Sequence, residues 1–169
     1  KRLKGDSKRH YYYSYLTGLY PEGDSLLNLF IHPLDYATFL FGEAKIKCLD
    51  VIRSRDGGQT LFLVLGHKDI TGMLELSTDY SWQDAQEQLN VSTDKGLYVL
   101  DNMERLDFMP RRSALLGIPL EKVFPNNGAT ICLYGRNNFV PTMVNNQIVS
   151  QGFFSEIKTF ADRVENKHE

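Results

Sequence analysis

Apolar and polar positions follow two different rhythms along this chain. Between residues 26 and 41 the side chains Leu26, Leu29, Phe30, Pro33, Ala37, Leu40 and Phe41 recur three and four residues apart, the wide stripe of a helix lying on a core. Tyr20-Pro21-Glu22-Gly23 reads as a turn before it, Asp24 or Ser25 can cap its start, and Gly42 suits the left-handed position past its end. Pro33 falls inside this stretch, which predicts a lost backbone hydrogen bond and a bend unless the first turns are irregular. After Gly42 the rhythm changes to that of a sheet. Residues 44–52, 59–65 and 70–77 are short β-branched or leucine-rich runs, separated by Arg55-Asp56-Gly57-Gly58 and by Gly66-His67-Lys68-Asp69, both suitable hairpin connections. Residues 85–92 are rich in helix-favouring Gln, Glu and Ala, yet Glu87, Leu89 and Val91 alternate with polar neighbours. Pairing across the Thr93-Asp94-Lys95-Gly96 turn with the apolar run 97–100 makes this segment a strand. From 110 to 146 regularity fades: Pro119, Pro125, Pro141 and three Asn-Asn pairs predict a long loop carrying one strand, 130–134. A second helix closes the chain over 150–166, with Phe153, Ile157, Phe160, Ala161 and Val164 as its buried stripe and Lys158 and Asp162 as an outward pair.

The opening is less ordinary. Lys1, Arg2, Lys4, Lys8 and Arg9 make the first residues a basic, solvated arm. It runs into His10-Tyr11-Tyr12-Tyr13-Ser14-Tyr15, where a strand would set Tyr11, Tyr13 and Tyr15 on one face. Two readings fit: a strand at the edge of the core, or a wall of rings facing a substrate. On the second reading Tyr13, Tyr15 and neighbouring Arg9 are the substrate-binding candidates. The order strand, helix, antiparallel strands, loop and closing helix predicts an α+β fold: an open, mainly antiparallel β-sheet with helices packed on one face.

Composition bounds the function. A chain of 169 residues and 19.4 kDa makes one domain, 1–169. Nineteen basic against twenty-one acidic side chains leave a net charge of −2, which argues against a nucleic-acid partner bound through its phosphates. With 42 % hydrophobic residues the chain can bury a core, so intrinsic disorder is excluded, and no apolar run approaches the ~20 residues of a membrane span. Cys48 and Cys132 are too few for a disulfide framework; they read as buried, inert thiols in strands, and a reducing cytoplasm is the expected setting. A start at Lys1, without Met, suggests a piece of a longer protein.

Of the four histidines, His67 and His168 read as surface residues and His10 abuts the tyrosine strand. His32 alone sits among polar groups on an otherwise apolar helix, with Asn28 four residues before and Asp35 three after on the same side. An imidazole there can exchange a proton near neutral pH; Asn28 can orient a substrate hydroxyl, and Asp35 can fix a tautomer or tie down the backbone. A packed, structural histidine is the alternative. No metal site is expected, since paired-His spacing and Cys clusters are missing. Neither a Gly-x-Ser-x-Gly elbow nor a dinucleotide fingerprint nor a phosphate loop occurs. Asn90-Val91-Ser92 matches a glycosylation acceptor by chance.

The run Gly23-Asp24-Ser25-Leu26-Leu27-Asn28-Leu29-Phe30-Ile31-His32-Pro33-Leu34-Asp35, with Phe39-Leu40-Phe41-Gly42-Glu43 after it, resembles the helix that opens the C-terminal domain of the Gfo/Idh/MocA oxidoreductases. The later strands and the ending Gln151-Gly152-Phe153-Phe154-Ser155-Glu156-Ile157 are similar to the rest of that domain. The resemblance implies an N-terminal Rossmann domain, absent from this chain, that binds NAD or NADP and carries a catalytic lysine. It implies a C-terminal sheet that holds a sugar, sugar-nucleotide or cyclitol, with His32 in the place of the acid/base histidine. Asn28 then stands where the family has Asp or Asn and cannot itself act as a base; Asp35 matches a structural Asp. Phe30 replaces a residue that is usually small, an expectation of a narrowed pocket. The parent would be an NAD(P)-dependent dehydrogenase and a homo-oligomer through the open sheet, with this chain inactive alone. The competing expectation is a non-catalytic binding or dimerisation module on the same sheet.

Overall fold

A computed structural model describes residues 6–20, 23–81, 84–111, 114–115, 118–119, 130–136 and 153–165. The chain forms two compact units, Lys1–Tyr134 and Gly135–Glu169, each taken by itself. In the first, β1 (Lys8–Leu16) leads to two helices, α1 (Ser25–Asn28) and α2 (Ile31–Phe41). Then come β2 (Lys45–Arg53), β3 (Gln59–Gly66), β4 (Thr71–Ser77), β5 (Gln86–Thr93), β6 (Gly96–Asp101) and β7 (Arg105–Pro110). β8 (Ala114–Leu115) and β9 (Ile118–Pro119) pair with each other alone, and β10 (Ile131–Gly135) joins the main sheet. That sheet has eight strands in the order β10-β7-β6-β5-β1-β4-β3-β2. β1 runs parallel to β4 and antiparallel to β5, and β2–β3–β4 and β5–β6–β7 are antiparallel meanders on its two sides. The α+β fold with its mainly antiparallel sheet is therefore as expected. β1 differs: it is a central strand, not one at the edge of the core.

Register explains the core. Tyr11, Tyr13 and Tyr15 pair with Gly72, Leu74 and Leu76 on one side and with Val91, Leu89 and Glu87 on the other. One face thus collects Tyr11, Tyr13, Leu61, Leu63, Leu65, Leu74, Leu76, Leu89, Val91 and Tyr98, and Phe30 and Ala37 close over it from the helices. Each large side chain sealed there stabilises the fold by about 1.5–3 kcal/mol. Phe30 is 0 % exposed and belongs to this core, so its bulk fills the interior and does not narrow a pocket. Tyr11 stacks on Phe41 at a centroid distance of 4.4 Å and lies flat over Gly72, where an added Cβ would come 1.8 Å from Cζ of the ring. Gly72→Ala should therefore cost roughly 1–3 kcal/mol through overpacking, read as a lower urea midpoint at unchanged slope.

Three local findings differ from the sequence reading. The helix over 26–41 is broken: α1 ends at Asn28 and α2 starts at Ile31. Pro33 is then in the first turn of α2, where no N–H is required, and the bend expected of it appears as this break. β7 was not foreseen. It follows a three-residue connection, 102–104, in which Asn102 and Met103 both have positive φ (46° and 55°), a hairpin geometry without the usual glycine. Finally, Phe153–Glu165 forms the closing helix, α3, but Ile157, Phe160 and Ala161 are exposed. Lys158 and Asp162 are outward as expected. The long loop outside β8–β10, the three Asn-Asn pairs and His168 lie outside the described residues, as do Lys1, Arg2, Lys4, Gln151 and Gly152. Of the basic arm, Arg9 is exposed, while Asp6 is buried against Lys95 (2.5 Å) and the Tyr98 hydroxyl (2.8 Å).

Candidate functional site

The α1–α2 break is built from the sequence. The Asp24 carboxylate accepts from the Leu26 N–H at 2.9 Å, capping α1. Ser25 is buried and its hydroxyl accepts from Gln59 at the end of β3, which pins the start of the helical segment to the sheet. The Leu29 and Phe30 N–H groups both return to the Ser25 carbonyl (2.9 and 3.0 Å), so the chain turns tightly there and re-enters a helix with Phe30 driven into the core. That turn leaves Asn28, His32 and Asp35 on the exposed side. Gly42, at φ 86°, ends α2 and returns its N–H to the Thr38 carbonyl at 2.8 Å.

One helical turn after His32 comes Tyr36, half-buried, whose ring meets Tyr13 edge-on at 6.2 Å. Tyr13 is wholly buried and donates its hydroxyl to Oε1 of Glu87 on β5. Glu87 is the group that sequence reasoning missed. Its parity was visible, since it alternates with Leu89 and Val91, which both face the core. The β6–β7 turn fixes its backbone: the Asn102 N–H donates to the Glu87 carbonyl at 2.7 Å and the Glu87 N–H to Asn102 Oδ1 at 2.8 Å. Burial pushes the Glu87 carboxyl above the ordinary carboxylate range, partly countered by the Tyr13 hydrogen bond and by His32. Burial and then Glu87 likewise raise Tyr13, Tyr15 and Tyr36, keeping those phenols protonated. Between the ordinary pKa of 4.5 and the raised value the folded state holds a proton on Glu87 that the unfolded chain has already released. Glu87 therefore favours folding below 4.5, and this contribution is lost as pH rises through the raised value, above which the carboxylate is charged. Glu87→Gln keeps the acceptor for Tyr13 and should abolish that decline, measured as denaturant stability from pH 4 upward.

The structure thus groups Tyr13, Tyr15, Tyr36 and Glu87, with His32 within electrostatic reach of Glu87 and Asn28 one turn before it. Tyr13 is buried inside this cluster rather than set in an open wall, while Tyr15 is half-buried. Arg9 is not part of it. It sits at a bulge at the opposite end of β1, six residues or about 20 Å of strand from Tyr15. His67 is half-buried rather than a free surface residue: Nδ1 meets the Gly42 carbonyl and Nε2 the Tyr11 hydroxyl, each at 2.8 Å, clamping the end of α2 to β1. Both cysteines are in strands, yet exposed rather than buried. Asn90 is in the middle of β5, hydrogen-bonded to Gln88 at 3.0 Å. Among the described residues no three His, Cys, Asp or Glu side chains gather as a metal site. Nor is there a pyrophosphate cradle at α2: the His32 and Leu34 N–H groups already serve the Leu29 and Phe30 carbonyls, and Pro33 has none.

No protein-family model matches the chain, and no curated protein matches it in sequence. Solved structures do match in fold. A dehydrogenase (MviM) from Clostridium difficile superposes with a TM-score of 0.67 at 16 % identity, over 95 % of this chain and 47 % of that one. The UDP-N-acetylglucosamine 3-dehydrogenase GnnA from Acidithiobacillus ferrooxidans does so with 0.62 at 13 % identity, over 96 % and 48 %. An oxidoreductase from Sinorhizobium meliloti gives 0.62 at 13 %, over 99 % and 49 %. The chain spans about half the length of each structure it matches. These likenesses establish the fold, and it is the one expected from the resemblance to Gfo/Idh/MocA dehydrogenases.

Proposed function

We propose that this chain is the substrate-binding and catalytic half of an NAD(P)-dependent dehydrogenase acting on a hydroxyl of a sugar, sugar-nucleotide or cyclitol. The observation that carries this reading is the exposed His32 within electrostatic reach of the Tyr13–Glu87 pair, on a fold shared with dehydrogenases. His32 takes the hydroxyl proton as the alcohol becomes a carbonyl, and Asn28, one turn earlier, donates or accepts a hydrogen bond that orients the reacting ring. Asp35 serves the backbone: its carbonyl accepts from the Thr38 hydroxyl at 2.8 Å. The nicotinamide nucleotide, which accepts the hydride, belongs to a Rossmann half outside this chain.

The test starts with the 169 residues alone, which should show no NAD(P)-linked oxidation of sugars or cyclitols; a measurable rate overturns the division of labour. The coding sequence upstream should show Gly-x-Gly-x-x-Gly after a strand and a Glu-Lys-Pro-like segment about a hundred residues later. If neither is there, a binding or dimerisation module is the better account.

A second copy of the chain is the partner we assign to the other face of the sheet. Phe62 and Met73 are exposed there, on strands paired Phe62 to Glu75 and Val64 to Met73. Met73→Lys should convert a dimer to a monomer in light scattering. Among the described residues no helix is long and apolar enough to cross a membrane. Two exposed, unpaired cysteines suit the reducing cytoplasm in which we place the protein.

A further inference from the structure

Within electrostatic reach of His32, Glu87 is a single carboxylate among phenols. Glu87 is half-buried, Tyr13 occupies its Oε1, and no hydrogen bond from the described residues reaches Oε2. Tyr15 is its cross-strand partner on β1, and Tyr36 faces it from α2. Among the described residues the basic side chain that bears on Glu87 is His32, while Arg9 stands at the far end of β1. A carboxylate anchored through one oxygen and through its own backbone welcomes hydrogen-bond donors. It repels carboxylates and phosphates brought against it, because the half-buried setting screens that repulsion poorly.

We propose that Glu87 is the specificity-determining residue of this site: its Oε2 accepts from a hydroxyl or ammonium group on the ring whose reacting hydroxyl meets His32. The site therefore admits neutral or amino-bearing sugars and cyclitols and rejects rings that carry a carboxylate at that position. A donor arriving at Oε2 also offsets part of the cost of keeping this carboxylate away from water. The inference rests on the reading of His32 given above, but its binding readout does not require turnover.

Saturation-transfer NMR on the chain with myo-inositol, D-glucosamine and D-glucuronate is the test, repeated on Glu87→Gln. Myo-inositol and glucosamine should bind and glucuronate should not. In Glu87→Gln, myo-inositol should weaken roughly tenfold or more, as expected for losing a hydrogen bond to a charged group, and glucuronate should gain. In the longer protein the same variant should raise KM with kcat retained, the mark of binding lost equally from ground and transition states. Equal binding of glucuronate and myo-inositol, no binding of any probe, or a Glu87→Gln indistinguishable from the unsubstituted chain overturns the proposal. If the probes discriminate as stated but the longer protein oxidises none of them with NAD(P), the dehydrogenase reading fails and the role of Glu87 stands. If oxidation proceeds and Glu87→Gln leaves KM unchanged, the reverse holds.

Discussion

His32→Ala in the longer protein should lower kcat/KM by roughly a hundred- to ten-thousand-fold, the range for loss of a general acid/base, while folding stability stays within about 0.5 kcal/mol. The two halves of this expectation have separate causes. His32 is exposed and lies outside the apolar cluster, so removing its ring opens no cavity. Its neighbours explain the kinetic half: Asn28 one turn before it, Tyr36 one turn after it, and Glu87 within electrostatic reach. Turnover measured beside a urea titration separates chemistry from packing. A loss of a few kcal/mol with catalysis intact would make His32 a structural residue and favour the binding-module account.

Phe30→Ala should destabilise the fold by about 3–5 kcal/mol, close to the whole stability of many small domains. The ring is 0 % exposed and is the place where the break between α1 and α2 is nailed to the sheet. Relaxation can fill little of the gap, because Pro33 and Ala37 beside it are also sealed and Ser25 is held by Gln59. Two positions apart on the chain, His32 and Phe30 thus make opposite predictions: one residue lost from function with the fold kept, the other lost from the fold. Chemical denaturation of the chain checks the second directly, and a change under about 1 kcal/mol would mean that the core does not rest on this ring.

Much of the architecture was legible because burial imposes a period. The α2 stripe, the three hairpin connections and the strand at Gln86–Thr93 all follow from side chains repeating at 3.6 or 2 residues. β7 escaped because its turn uses Asn102 and Met103 in the left-handed region, so the glycine that usually announces such a hairpin is missing. The break at Leu29 and Phe30 was hinted at by Pro33 alone, since a local stripe cannot tell one bent helix from two. His32 and Asn28 stood out as polar groups on an apolar helix. Glu87 did not, because its role depends on β5 lying beside β1 and on which face β1 turns to α2, and both are properties of strand order. For the same reason the tyrosine run left two readings open: alternation gave the shared face, whereas only the pairing with β4 and β5 makes the strand central.

The most direct test of the central claim is a pair of two-dimensional spectra of the imidazole C–H groups of the chain, recorded with and without myo-inositol. The His32 signal should move on titration while those of His10 and His67 stay in place, because one is at the far end of β1 and the other is clamped between Tyr11 and Gly42. A His32 signal that stays fixed while the cyclitol binds elsewhere would contradict the account.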